Sequence, residues 1–449
     1  MEFSDDINCM HSDKKVLINN ISSLFSVQVA NYVLPMVSVP IIVRIIGPDK
    51  YGLINYSAAI VSYFILIVNY GFDLTATRQV AQNRDNKPYI QELFSTVLWC
   101  KVFLFLITLV VFLGCFLILP VFRAEWKIML YTYIALISWV ITPNWIYQGM
   151  QELSRIAIFD IVIKLLFTVS VLIVIRHKSD YVYQPLAAGV SQIAIGYYSF
   201  HYAMHRYGLK LLKVSFKKVM SVLKEERIIF FSSVIINLYT TTNTVILGSM
   251  VSIAQVGYYT AALRFIQMAQ AIITLPLSNS FFPYVGAAFG KSREDGIAAA
   301  RKVLPVVSII GLLAFLGMAV LGPWALTLFF GKKFEPSIPI FITLAITPLV
   351  IVVSNVFGIL VMMNLKMDKA FLRISAFGAI VSIGSNLLLV PWAGGLGSAF
   401  SLVITECFIT ATMGVFLYKQ GISMVDGADF HPKKIFLQLQ SAVADFRKK

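Results

Sequence analysis

The chain has 449 residues, 58% of them hydrophobic and 13% charged, with a mean hydropathy of +0.79 and a formal net charge of +15. A soluble domain of this length carries about a quarter charged residues and breaks its apolar runs with polar faces, so a soluble globular protein is excluded. The basic excess fits a membrane face beside anionic lipid, and nothing in it calls for nucleic acid. The four cysteines, Cys9, Cys100, Cys115 and Cys407, show no CxxC spacing and read as small hydrophobes.

The first fifteen residues are polar and mixed in charge, so the first apolar run is expected to act as its own insertion signal without a cleavable leader. Runs long enough to cross a bilayer follow near 18–46, 52–72, 93–119, 127–148, 156–175 and 182–203. Six more lie near 228–250, 257–282, 303–329, 337–363, 371–391 and 396–418. This is an all-α polytopic membrane protein with about twelve transmembrane helices. The first run exceeds a straight crossing of about twenty residues, and Pro35 and Pro40 are its expected bend points.

Charge sets the orientation. With these spans, 26 basic residues fall on the side of the N-terminus and 8 on the other, so the positive-inside rule puts both termini in the cytoplasm. The stretch 205–229 spaces Leu209, Leu212, Phe216, Val219 and Leu223 at helical intervals with lysines between, which predicts a basic amphipathic helix on the inner leaflet. It divides the chain into a six-helix half at 1–204, a linker at 205–227, a second six-helix half at 228–420 and a basic tail at 421–449. YGLINYSAAI (51–60) and VGYYTAALRF (256–265) are faintly alike, in keeping with an internal repeat and a site between the repeats.

Charges inside spans are costly and mark candidate functional residues. Lys101, Arg264 and Glu406 have no partner nearby in sequence, which points to a water-filled cavity. Asp160 and Lys164 are four apart on one helical face, and a structural pair and a substrate-facing pair both stay open. The five sum to a weakly cationic interior, suited to a phosphate or diphosphate head group. GAAFGKS (286–292) has three residues between its glycines where a P-loop needs four, so no nucleotide site and no ATPase domain are expected. His201 and His205 lack the intervening carboxylate and third ligand of a metal site, and His201 is the one hook for an acyltransferase. No cofactor is expected.

Four motifs in order, RIIGPDKYGLINY (44–56), NYGFDLTATRQVAQNRD (69–85), PNWIYQGMQEL (143–153) and PLVIVVSNVFGILVMMNLKMDKAF (348–371), resemble the Wzx-type O-antigen and polysaccharide repeat-unit flippases. GLGSAFSLVITE (395–406) adds a fifth, and the likeness runs from about residue 16 to 418. The resemblance implies two pseudo-symmetric six-helix bundles around a central cavity, as in multidrug exporters of the same superfamily. It implies an undecaprenyl-diphosphate-linked oligosaccharide carried to the outer face of a bacterial inner membrane, with a polysaccharide polymerase and a chain-length regulator as partners. By motif match it puts Arg44 at the periplasmic end of the first span, Asp73 and Arg78 at the cytoplasmic mouth, and Glu406 at a proton- or sodium-coupling position. Glu152 is displaced by one from the family's acid. The competing readings are an organic-cation antiporter of the same fold, a lipid II flippase, and a membrane polymerase or acyltransferase.

Overall fold

A computed structural model describes residues 38–276 and 281–424. The tail motif HPKKIFLQLQSAVADFRKK, Pro35 and most of the first predicted span lie outside the described residues. Among the described residues the backbone is helical with no strand, and seven helices are long and apolar enough to cross a membrane. Their surfaces suit hydrocarbon. Val110 is 70% exposed, Leu117 81% and Trp392 92%, which in water would forfeit about 25 cal/mol for each Å² of apolar area.

The chain divides into two compact units, residues 1–234 and 235–449. In the first, α1 (38–69) is interrupted at Gly47, whose φ is +78°. A left-handed glycine ends one helix and Pro48 opens the next, because proline needs no N–H donor in a first turn. Two predicted spans are therefore joined by a one-residue break. Tyr70 and Gly71 then carry φ of 49° and 87°, which end α1, and α2 (Phe72–Gln82) follows. A Cβ on Gly71 would lie 2.7 Å from the Ile229 side chain.

The next helix, α3 (Lys87–Ile118), starts under an Asn86 cap that accepts from the Tyr89 N–H. The predicted span 127–148 is built from pieces: after α4 (Pro120–Ala124) come α5 (Trp126–Ile134), α6 (Leu136–Ile141) and α7 (Asn144–Gly149). Pro143 sits at the last joint. α8 (Leu153–Val174), a short 3-10 turn (Lys178–Val182) and α9 (Tyr183–Arg206) complete the set.

The segment after α9 departs from expectation. Residues 207–215 are not helical, and helix resumes only with α10 (Phe216–Met250), which continues into the next span. Leu209, Val219 and Leu223 are buried in one apolar cluster with Phe94, Trp145 and Tyr147, not turned to lipid. The segment is strapped to α3: the Leu212 N–H donates to Ser95 Oγ at 2.9 Å, Trp99 Nε1 donates to the Leu212 carbonyl, and Lys218 pairs with Glu92 at 3.1 Å. Protein packs these three, while Leu212 and Phe216 of the same predicted face stay exposed.

The second unit contains α11 (Ile253–Pro276), α12 (Phe282–Lys291), α13 (Arg293–Phe330), α14 (Ser337–Leu344), α15 (Thr347–Asn355) and α16 (Asp368–Lys419). A π-helical turn, Val356–Met362, follows α15. α16 holds two predicted spans, divided after Pro391 at Gly394, which has φ 55° and ψ −128°. The Gln255 side chain caps the second half by accepting from the Gly395 N–H at 3.0 Å. GAAFGKS lies mainly on α12, a regular helix with no loop to wrap a phosphate. Of the three predicted spans that the seven long apolar helices do not cover, α9 and α10 lie along 182–203 and 228–250, and α11 covers 257–276 of the third.

Candidate functional site

Two motifs far apart in sequence meet in the first unit. α2, from the 69–85 motif, packs on α7, from the 143–153 motif. Gly149 makes this fit possible, since a Cβ there would lie 2.5 Å from Val80 Cβ and 2.9 Å from the Thr77 carbonyl. Thr77 Oγ1 approaches the Trp145 carbonyl at 3.3 Å and Gln148 Oε1 at 3.2 Å. Arg84 Nε donates to the Gly149 carbonyl at 2.7 Å, capping the end of α7. Glu152, just beyond, pairs with Arg206 at 3.3 Å and Arg155 at 3.8 Å, fastening α9 to the same corner.

Lys101 is buried, with 2% of its surface exposed. Its Nζ donates to the Trp139 carbonyl at 3.2 Å, and the negative charge of Asp73 also acts on it. A cavity of about 10 Å³ beside it is closed by Phe94, Trp145 and Phe200, room for one water at most. Asp73 is half-buried and accepts from Asn69 Nδ2 at 2.6 Å. Arg78, on the same helix, is exposed and lies within charge range of Glu226. Asp160 and Lys164 are both half-buried on α8 and interact through charge. Arg44 is exposed on α1, before the Gly47 break.

In the second unit Arg264 is exposed on α11, on one stripe with Thr260 and Gln267. Among the described residues no hydrogen bond or ion pair reaches it. The same holds for Glu406, half-buried on the second half of α16. Sequence reasoning passed over a different group: a buried net of neutral polar side chains. Ser382 Oγ and Asn386 Nδ2 donate to Asn243 Oδ1 at 2.9 and 2.8 Å. Asn386 Nδ2 also reaches Ser401 Oγ at 2.6 Å, and Ser398 Oγ donates to Asn386 Oδ1 at 2.9 Å. Asn386, Ser382, Ser398 and Ser401 are fully buried and Asn243 is 1% exposed. The i, i+4 spacing of Ser382 and Asn386 was the available signal.

This is a multi-pass membrane protein whose helices follow the architecture of MATE transporters and a lipid II flippase. A lipid II flippase in an inward closed conformation matches with a TM-score of 0.74, 11% identity and coverage of 96% of this chain and 93% of that one. An inward-facing MATE family multidrug transporter matches with a TM-score of 0.68, 15% identity and coverage of 90% and 98%. The family model described as "Polysaccharide biosynthesis protein" matches residues 17–289, and the chain belongs to that family. A protein of Escherichia coli (strain K12) named "Putative O-antigen transporter" is 26% identical over 413 residues, 91% of this chain and 98% of its own length. Its counterpart in Shigella dysenteriae is 25% identical over 398 residues, 88% of this chain and 98% of its own. These relatives and solved structures carry the names of transporters and flippases, not of enzymes.

Proposed function

We propose that the chain moves an undecaprenyl-diphosphate-linked oligosaccharide, an O-antigen or similar polysaccharide repeat unit, from the cytoplasmic to the periplasmic leaflet of a bacterial inner membrane. The observation that carries this reading is the family membership together with the likeness to an O-antigen transporter over 98% of that protein's length. The likeness to the lipid II flippase and the MATE transporter is a likeness of fold alone.

The physics of the task suits such a fold. A glycan cannot cross about 30 Å of hydrocarbon unaided, but a cavity that opens to either side in turn shelters sugar and diphosphate while the polyprenyl tail stays in lipid. Two negative charges moving outward across an inside-negative membrane gain about 4.6 kcal/mol per 100 mV, so the membrane potential itself favours export. Both termini are cytoplasmic in this reading, and a polymerase and a chain-length regulator act on the exported product.

Arg264 is the residue we assign to the diphosphate. It is a guanidinium inside a span, exposed and without an ion pair among the described residues, and bidentate geometry suits phosphate oxygens. Arg44 and Arg78 serve the two mouths, with Asp73 on the same helix as Arg78. Lys101, Asp160 and Lys164 set the shape and charge of the wall behind them. Glu406 is the coupling carboxylate. The test is expression in a strain lacking its own repeat-unit flippase. Restored surface polysaccharide by the wild type, and its loss in Arg264→Ala at normal protein level, are expected. Full export by Arg264→Ala removes the assignment of Arg264, and no export by the wild type with any repeat unit tried removes the function.

A further inference from the structure

A cavity of about 210 Å³ with a mixed polar and apolar lining opens in the first unit where α2 meets the N-terminal parts of α3 and α10. Thr75 and Gln79 come from α2, Tyr89 and Glu92 from α3, and Lys218 and Glu226 from α10. Tyr89, Glu92, Lys218 and Glu226 lie outside the predicted spans, on the side the basic residues assign to the cytoplasm, while Leu93, Thr96 and Val97 carry the lining into the start of the span at 93–119.

The wall is organised. Tyr89 OH donates to Gln79 Oε1 at 3.1 Å, and Gln79 Nε2 donates to Glu226 Oε1 at 3.4 Å. That chain fixes the amide and ends on a carboxylate. Lys218 Nζ is spent on Glu92 Oε1 at 3.1 Å. Thr75 lies beside Glu226, yet its Oγ1 is buried without a well-directed hydrogen bond. Glu225 also lines the space. Three carboxylates, each with about four lone-pair sites, thus share one lysine in the lining, with Arg78 within charge range of Glu226 and Ser221 Oγ donating to Glu225 at 2.9 Å, and acceptors still outnumber donors. Leu93, Val222 and the ring of Tyr89, all half-buried, add apolar wall to the same space.

A ligand that answers this wall brings several O–H or N–H donors and one apolar face. A pyranose ring has both: hydroxyls around its rim and C–H groups on its flat side. A bare ammonium matches the carboxylates but leaves the aromatic wall against water. We propose that this cavity receives one sugar residue of the transported oligosaccharide, engaging it before the diphosphate reaches the deep charges. The inference rests on the proposed transport function and names the part of the substrate that this end of the protein reads.

Saturation-transfer NMR on the full-length protein in nanodiscs tests it, with a panel of glucose, galactose, N-acetylglucosamine and N-acetylgalactosamine, and spermidine as the cationic probe. Transfer to at least one sugar from the wild type is expected, weakened about tenfold or more, about 1.4 kcal/mol, by the isosteric Glu226→Gln and abolished by the cavity-filling Thr75→Trp. Transfer to no sugar, transfer to spermidine alone, or sugar transfer unchanged in both variants overturns the proposal. The export assay separates the two readings. Wild-type export with undiminished export by both variants overturns the sugar site and leaves the transport function standing, whereas no wild-type export strikes at the function itself.

Discussion

Lys101 Nζ donates at 3.2 Å to the carbonyl of Trp139, the one acceptor in that helix whose normal donor Pro143 cannot supply. In an α-helix the carbonyl of residue 139 accepts from the N–H of residue 143, and proline has none. α6 ends at Ile141, and a lysine from α3 takes over the orphaned oxygen. A charge that sequence alone assigns to an open cavity is here a clamp on a helix break. Lys101→Met is expected to lower the thermal stability of the detergent-solubilised protein by about 1–3 kcal/mol, the cost of a buried group left unpaired. Pro143→Ala, which restores an N–H, should recover part of that loss in the double variant. Strict additivity of the two changes would show that they share no acceptor.

What was legible in the sequence follows from period and length. Apolar runs of about twenty residues marked spans because a run of that length crosses hydrocarbon as a helix with its own backbone bonds satisfied, whereas the Gly47–Pro48 break was not marked: the expected bends were at Pro35 and Pro40, and the helix runs on through Pro40 to Gly47. The partners across space were not legible. Nothing local says that Gly149 faces Val80, or that Leu209, Val219 and Leu223 prefer Phe94 and Trp145 to a leaflet. The Asn243–Asn386 net escaped a search for charges because each member is neutral and common in helices, and only their convergence is unusual.

Gly149 is the contact point between two motifs, so adding side chain there should be felt in both. Gly149→Val forces its Cβ against Val80 and the Thr77 carbonyl, an overpacking that costs about 1–3 kcal/mol. Reduced protein level and reduced export are expected, with partial recovery on adding Val80→Ala. Normal level and export in Gly149→Val would mean that α2 and α7 tolerate separation.

The neutral net in the second unit should be worth more than its single bonds suggest. Asn386→Leu removes the group that joins Asn243, Ser398 and Ser401 and leaves their polar atoms buried. Each unsatisfied group costs about 1–3 kcal/mol, so a larger fall in melting temperature is expected than for Ser385→Ala, whose hydroxyl also has backbone acceptors in its own helix. Scanning calorimetry of the two variants side by side measures the difference, and equal falls would show that the net is loosely coupled.

Gly394 holds φ 55° and ψ −128° in the middle of what is otherwise one long helix. Backbone strain at such a position costs a side-chain-bearing residue about 1–3 kcal/mol, and a Cβ there would also press on Gln255 Oε1 at 3.0 Å. Gly394→Ala should therefore destabilise the second unit, and Gln255→Leu should do so less, because it removes the cap on the Gly395 N–H without touching the dihedral angles. The opposite order, read by thermal unfolding, would assign the break to the cap and not to the glycine.

Glu406 tests whether transport is coupled to an ion at all. Glu406 is a half-buried residue of α16 whose carboxyl makes no hydrogen bond or ion pair among the described residues, and an intramembrane acid without a partner is costly to keep. The gain of about 4.6 kcal/mol per 100 mV for a dianion moving outward makes coupling dispensable energetically, so a coupling role has to appear as a dependence on pH or sodium. In vesicles held at fixed potential, wild-type export should vary with one of the two, and Glu406→Gln, which fixes the neutral form, should export at a rate independent of it. A glutamine variant that keeps the wild-type dependence would leave Glu406 a structural acid and the membrane potential as the remaining drive.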